Sequence, residues 1–137
     1  WMWNPPERAQ RVIITPGLSK YETLQRYRQE FLQSADNAIN NASRFLFVGY
    51  GFNDTHLDEY IRRKLINQGC RGLIITRDCN PRIESLLEEA ANLWIVCKTE
   101  NAGSEDTLIF NNQYSGWLTL PGKRLWDISE FTKQILD

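Results

Sequence analysis

Two short polar segments contain the residues whose types and spacing best suit ligand chemistry. The first is the loop Gly49-Tyr50-Gly51-Phe52-Asn53-Asp54, which follows an apolar run and precedes His56. Glycines between a strand and a helix let the backbone approach a phosphate or a ribose closely, because no Cβ obstructs the ligand. A complete G-x-G-x-x-G fingerprint would require glycine at position 54, so this motif is only partial.

The polar side chains of both segments allow a structural and a functional interpretation. Asn53 and Asp54 suit the N-cap of a following helix, with His56 in its first turn, and they also offer donors and acceptors for a ribose diol. The second segment, Thr76-Arg77-Asp78, also follows an apolar run. Asp78 is suited to accept hydrogen bonds from an adenosine ribose and Arg77 to contact a phosphate, or the segment is a plain polar turn.

The order of apolar runs and helical patterns predicts an α/β fold. The alternation implies parallel strands joined by right-handed crossovers in a three-layer α/β sheet flanked by helices. The uninterrupted run at 44–48 predicts a strand buried on both faces. Ligands collect at the carboxyl ends of such strands, where both polar segments lie. The predicted strands are 11–15, 44–48, 73–76 and 92–97, and the predicted helices start near residues 19, 54 and 81.

The chain divides by sequence character into three parts. Residues 1–10 are predicted to form an irregular lead-in, 11–100 the part with alternating strands and helices, and 101–137 an extension that packs on the same domain. Within the extension, residues 107–110 suit either a short strand or a helical turn, and a short helix is expected near the end of the chain.

Composition excludes several classes of function. With 16 basic and 17 acidic residues, the chain has no overall attraction to nucleic acid or to an anionic membrane, and no apolar stretch is long enough for a membrane span. Three cysteines, none of them in a C-x-x-C pair, and a single histidine are poor material for a zinc site or a disulfide framework. We therefore expect free thiols, no metal and a cytoplasmic location.

Two motifs resemble a known family. The string from Phe47 to Leu57, containing G-Y-G-F-N-D, resembles the later part of the SIR2-like domain of bacterial anti-phage defence proteins. The stretch T-P-G-L-S-K-Y-E at 15–22 resembles the T-P-G-x-S-K-Y-E stretch that precedes it there, and the resemblance extends over residues 11–97. It implies that residues 11–100 are the C-terminal part of an NAD-binding, Rossmann-like domain related to sirtuins. In the defence members this domain hydrolyses NAD⁺ to nicotinamide and ADP-ribose.

The resemblance also implies which residues contact NAD and which part of the domain is present. The family's phosphate loop, catalytic asparagine and catalytic histidine all precede the T-P-G stretch, and the sequence begins with Trp1. We therefore expect the C-terminal, adenosine-side half of an NAD site, with no catalytic residue of its own and no turnover in isolation. The expected NAD contacts are Gly49, Tyr50, Gly51, Phe52, Asn53, Asp54, His56, Thr76 and Asp78.

Two alternative functions use the same sequence features. The strand-end loops suit a module that senses NAD or ADP-ribose without cleaving it. A third possibility is a half-domain that mediates oligomerisation, which a patch formed by Trp1, Trp3, Trp117 and Trp126 would favour. The expected partners are NAD⁺ or ADP-ribose and further copies of the chain, with an ATPase as another candidate.

Overall fold

The computed structural model describes residues 19–100 and 105–136, and the chain divides into two compact units, Trp1–Ala35 and Asp36–Asp137. The predicted lead-in and the predicted strand at 11–15 lie outside the described residues. In the first unit, helix α1 (Ser19–Asn41) begins and continues to the boundary at Ala35. The rings of Tyr27 and Phe31, one turn apart on this helix, stack with their centroids 6.5 Å apart.

The second unit contains the last turns of α1 and all the remaining elements. Helices α2 (Thr55–Arg62) and α4 (Ile128–Phe131) each continue into a π-helical turn, Arg63–Asn67 and Thr132–Leu136 respectively. The third helix of this unit is α3 (Pro81–Glu89). The strands are β1 (Arg44–Val48), β2 (Arg71–Ile75), β3 (Leu93–Lys98), β4 (Thr107–Phe110) and β5 (Leu118–Leu120).

The strands form one open mixed sheet in the order β1-β2-β3-β4-β5. The first three strands pair in parallel, as predicted, with Val48 beside Ile75 and Ile75 beside Val96. The prediction of a wholly parallel sheet is wrong for the last two strands, because β4 and β5 pair antiparallel. The loop between β3 and β4 is too short for the crossover that a parallel pair requires, so the chain turns back beside β3.

One face of the sheet carries the hydrophobic core. Alternation along the strands places Phe47, Ile74 and Ile95 on this face, where they join one cluster with residues of α2 and α3. Gly72 lies in the same layer, and a Cβ there would stand 2.6 Å from Leu93 Cδ1, so the close packing requires glycine. The helical members of the cluster include Ile61, Leu65, Ile83, Leu86 and Leu87.

The opposite face, which we call the open face, is only partly covered. Its residues in β1, Leu46 and Val48, remain 59% and 48% exposed, so the prediction that this strand is buried on both faces is wrong. In the neighbouring strands Trp94 is 40% exposed, whereas Ile75 and Val96 are almost fully buried. The uncovered part of the open face therefore lies along the edge strand β1 and toward the amino ends of β2 and β3.

Within residues 19–100 and 105–136, no helix is long and apolar enough to cross a membrane. The same residues contain no group of three or more histidine, cysteine, aspartate or glutamate side chains placed to hold a metal ion.

Candidate functional site

The loop after β1 continues the sheet by one hydrogen bond and then turns sharply. The Gly49 amide donates to the Ile75 carbonyl at 2.9 Å, and Gly49 has a φ of 63°. A Cβ at Gly49 would have no atom within 4 Å, so the backbone conformation rather than a lack of space favours glycine here. The open space leaves the Gly49 backbone accessible to a ligand.

Phe52 holds the middle of the loop in a strained conformation. It is the one non-glycine residue with positive φ, 54°, among the described residues, and this conformation costs about 1–2 kcal/mol. The ring is 3% exposed and packs against Phe47 and Tyr50, with centroids 5.1 and 4.8 Å away. Aromatic burial therefore offsets the backbone strain, and the Phe52 side chain belongs to the core.

Two side chains from the start of α3 bind the carbonyl groups of this loop. Asn80 donates through Nδ2 to the Gly51 carbonyl at 3.0 Å, and Arg82 donates to the Phe52 carbonyl at 2.9 Å. Asn80 is also the N-cap of α3, since its Oδ1 accepts from the amides of Arg82 and Ile83. The loops that follow the neighbouring strands β1 and β2 are therefore joined by direct hydrogen bonds.

Asp54 is the N-cap of α2, which settles the choice among the capping candidates. Its Oδ1 accepts from the amides of His56 and Leu57 at 3.0 and 3.1 Å. The carboxylate thus satisfies the backbone donors that would otherwise attract an anionic ligand group to this helix end.

Tyr50 is held by the first turn of α2. Its hydroxyl donates to Asp58 Oδ1 at 2.7 Å. Burial raises the pKa of the Tyr50 hydroxyl far above its usual range, and the hydrogen bond to Asp58 and the nearby carboxylate charges add to this effect. The phenol is therefore a neutral hydrogen-bonding group at all physiological pH values.

His56 is bound to α1. Its Nε2 lies 3.1 and 3.2 Å from the two carboxylate oxygens of Asp36, and its ring lies 5.4 Å from that of Tyr60. The side chain of His56 is 44% exposed. The histidine of the G-Y-G-F-N-D string thus connects two helices of the second unit.

The loop after β2 presents its own polar groups beside the first loop. The Thr76 amide donates to the Val96 carbonyl at 3.1 Å, and the Thr76 hydroxyl donates to the Asp78 carbonyl at 3.3 Å. Asn53 and Asp78 are exposed, and within the described residues neither side chain forms a hydrogen bond. These two side chains are therefore available to a ligand.

The two cysteines near this edge of the sheet are poor nucleophiles. Burial raises the pKa of Cys97 to about 12, with smaller effects from Cys79 and Asp78. Burial, with the charge of Glu84, raises the pKa of Cys79 to about 11. Both thiols are protonated at neutral pH, so neither is primed for covalent chemistry.

A cleft of about 540 Å³ lies beside the first loop, between α2 and the amino-terminal end of α3. Phe52 and Thr55 line one side, and Pro81, Arg82 and Ser85 line the other. Of the predicted NAD contacts, only Phe52 lines this cleft. The exposed groups of Gly49, Asn53 and Asp78 are not among its lining residues.

The structure gives the sequence-predicted residues different roles. Gly49, Asn53, Thr76 and Asp78 lie in exposed or half-buried loops at one edge of the sheet, whereas Asp54 caps a helix and His56 binds Asp36. The sequence did not predict four hydrogen-bonded contacts of this region. They join Asp36 to His56, Asp58 to Tyr50, Asn80 to Gly51 and Arg82 to Phe52. The capping pattern identified Asn80 as a helix start, but no sequence signal indicated its bond to Gly51.

No protein-family description, curated protein or solved structure matches this chain.

Proposed function

We propose that this chain supplies the adenosine side of the NAD⁺ site in a SIR2-like NAD⁺ hydrolase. The observation that carries the proposal is the pair of joined loops after β1 and β2, which hold the accessible Gly49 backbone and the free side chains of Asn53 and Asp78 at one edge of the sheet. Strand ends of parallel sheets are the usual position of nucleotide sites.

The chemistry of the loops suits a ribose better than a phosphate. Asn53 offers an amide donor and acceptor and Asp78 a carboxylate, which together match the two hydroxyls of a ribose. The amino end of α2 is already satisfied by Asp54, so a pyrophosphate gains little there. Arg77 is the exposed cation of the second loop and is suited to bind a phosphate next to the ribose.

Hydrolysis breaks the bond between nicotinamide and C1′ of its ribose, and water adds to C1′ as nicotinamide leaves. The resemblance assigns this step to an asparagine and a histidine that precede the T-P-G stretch. In this proposal Asn53 and Asp78 bind the far half of the substrate and position it. Their loss should raise KM more than it lowers kcat, because they contact substrate and transition state alike.

The proposal also covers the fold, the cellular location and the biological role of the complete protein. The sheet of β1–β3 with its helices is the later part of a Rossmann-like domain, the complete protein is cytoplasmic, and its activity depletes NAD⁺ during phage infection. No metal takes part in this scheme, and NAD⁺ is the substrate.

The test uses the full-length protein that contains this chain. Nicotinamide release is followed with NAD⁺ alone for the unchanged protein, for Asn53→Ala, and for Asn67→Ala as an exposed asparagine away from the strand ends. We expect Asn53→Ala to raise KM by about tenfold, the loss of roughly one good hydrogen bond. Asn67→Ala should leave KM unchanged.

Two outcomes would contradict the proposal. Equal KM values for Asn53→Ala and Asn67→Ala would remove Asn53 from the site. NAD⁺ binding by the full-length protein without any nicotinamide release would show a sensor rather than a hydrolase.

A further inference from the structure

Arg82 binds the loop after β1 but has no part in the NAD⁺ contacts proposed above. It lies in the first turn of α3, and its Nη1 donates to the Phe52 carbonyl at 2.9 Å. Within the described residues Arg82 forms no ion pair with a carboxylate. The Phe52 carbonyl is therefore the partner that this part of the chain gives to the guanidinium.

That carbonyl belongs to the strained residue of the loop. Phe52 has a φ of 54°, a conformation that a bulky residue keeps only when its surroundings hold it there. The preceding carbonyl, that of Gly51, accepts from Asn80 Nδ2 at 3.0 Å. The peptide groups on both sides of Phe52 are therefore each held by a hydrogen bond from the start of α3.

These two bonds also set the direction of the loop amides. The N–H and C=O of a trans peptide group point in opposite directions, and none of the described peptide bonds is cis. Because the carbonyls of Gly51 and Phe52 point toward α3, the amides of Phe52 and Asn53 point away from it. Among the described residues neither amide has a hydrogen-bond acceptor, although Phe52 is only 3% exposed. Buried amides are almost always paired, so this side of the loop offers donors to a polar ligand group.

The side chain of Asn53 depends on the same two peptide groups. Its Nδ2 lies 2.8 Å from the position that a Cβ at Gly51 would occupy, so the side-chain amide packs over Gly51. Gly51 and Asn53 are connected through Phe52, and rotation of either peptide group would move the Asn53 side chain away from this position. Arg82 thus acts on the place of the side chain to which we assign the ribose.

We propose that Arg82 is a positioning residue of the NAD⁺ site, which it serves through its bond to the Phe52 carbonyl. That bond selects the loop conformation in which the Asn53 side chain and the free loop amides are presented to the ligand. This inference rests on the function proposed above, because it requires Asn53 to contact NAD⁺. Arg82 itself does not touch the substrate.

A positioning role has its own kinetic signature. Without the bond, the loop samples conformations that do not bind NAD⁺, and the apparent affinity falls in proportion to the fraction of molecules that remain competent. Saturating NAD⁺ draws the loop back to the competent conformation, so kcat changes little. Arg62 provides a matched control, since it lines the same cleft and its guanidinium binds Glu89 instead of the loop.

The test measures nicotinamide release by the full-length protein that contains this chain, with circular dichroism to confirm that each variant folds. Arg82→Met keeps an unbranched side chain without a donor and should raise KM about tenfold while changing kcat by less than about twofold. Arg82→Lys retains a cationic donor and should bring KM back to within about threefold of the unchanged protein. Arg62→Met should leave KM and kcat unchanged.

A double variant separates positioning from a general loss of stability. If Arg82 acts through Asn53, Arg82→Met should raise KM by less than about threefold in protein that already carries Asn53→Ala. Two independent effects that multiply to about a hundredfold would overturn the proposal, as would equal KM values for Arg82→Met and Arg62→Met. In both cases a raised KM for Asn53→Ala leaves the proposed function standing. An unaltered KM for Asn53→Ala, or no nicotinamide release by the unchanged protein, overturns both proposals.

Discussion

Asn80 forms a hydrogen bond between the two strand-end loops and also caps α3. Comparing two replacements of Asn80 separates the contribution of that hydrogen bond to stability from the contribution of helix capping. Asn80→Ala removes the N-cap of α3, worth about 1 kcal/mol, and the hydrogen bond to the Gly51 carbonyl, worth about 1 kcal/mol more. We therefore expect the free energy of unfolding to fall by about 2 kcal/mol. Asn80→Ser keeps a capping oxygen but loses the amide donor, so its expected loss is about 1 kcal/mol.

The assay is urea denaturation of the chain, with Asp54→Ser as the matched control. Asp54 caps α2 through the same kind of hydrogen bonds, but among the described residues its side chain makes no bond to the second loop. Serine caps nearly as well as aspartate, so Asp54→Ser should change the free energy of unfolding by less than about 0.5 kcal/mol. If Asn80→Ser is as stable as the unchanged protein, the hydrogen bond from Asn80 to the Gly51 carbonyl contributes nothing and the reasoning is refuted.

Three further changes test other parts of the same region. Gly49→Ala should lower the free energy of unfolding by about 1 kcal/mol in urea denaturation, because alanine is disfavoured at a φ of 63° although there is space for its Cβ. A loss above about 3 kcal/mol would indicate a steric clash and would contradict this explanation. Tyr50→Phe should cost about 1 kcal/mol by removing the bond to Asp58, and no change would show that water replaces it. Because the pKa of Cys79 rises from 9.0 to about 11, the unfolded thiol ionises first, so the free energy of unfolding should fall as pH increases from 9 to about 11. Cys79→Ala should make that fall shallower, and an unaltered profile would exclude this thiol as a cause.

Periodicity in the sequence predicted most of the regular elements. The helix from Ser19 to Asn41 and the helix capped by Asn80 are confirmed, because their apolar spacing and capping residues act locally. The parallel pairing of β1, β2 and β3 is also confirmed, since alternating strands and helices leave few other topologies. The antiparallel pair at the end was not predicted, because the four-residue run 107–110 is too short to distinguish a strand from a helical turn.

The side-chain contacts of the candidate site could be predicted only in part. Helix capping by Asp54 was one of the expected roles, since its partners lie two and three residues away. The bonds from His56 to Asp36 and from Asn80 to Gly51 join residues 20 and 29 positions apart, so their formation depends on how the helices and strands pack. The exposure of Leu46 has the same origin, because an apolar run does not reveal which face a partner leaves uncovered.

Amide NMR of the chain during titration with ADP-ribose tests the central claim most directly. If the joined loops form the adenosine side of an NAD⁺ site, saturating ligand should shift the amide signals of Gly49, Gly51, Asn53 and Asp78, and Asn53→Ala should weaken binding by about tenfold. Signals near Asn67 should stay unchanged. Absence of any shift in the two loops at saturating ADP-ribose, or shifts confined to other parts of the chain, would contradict the claim.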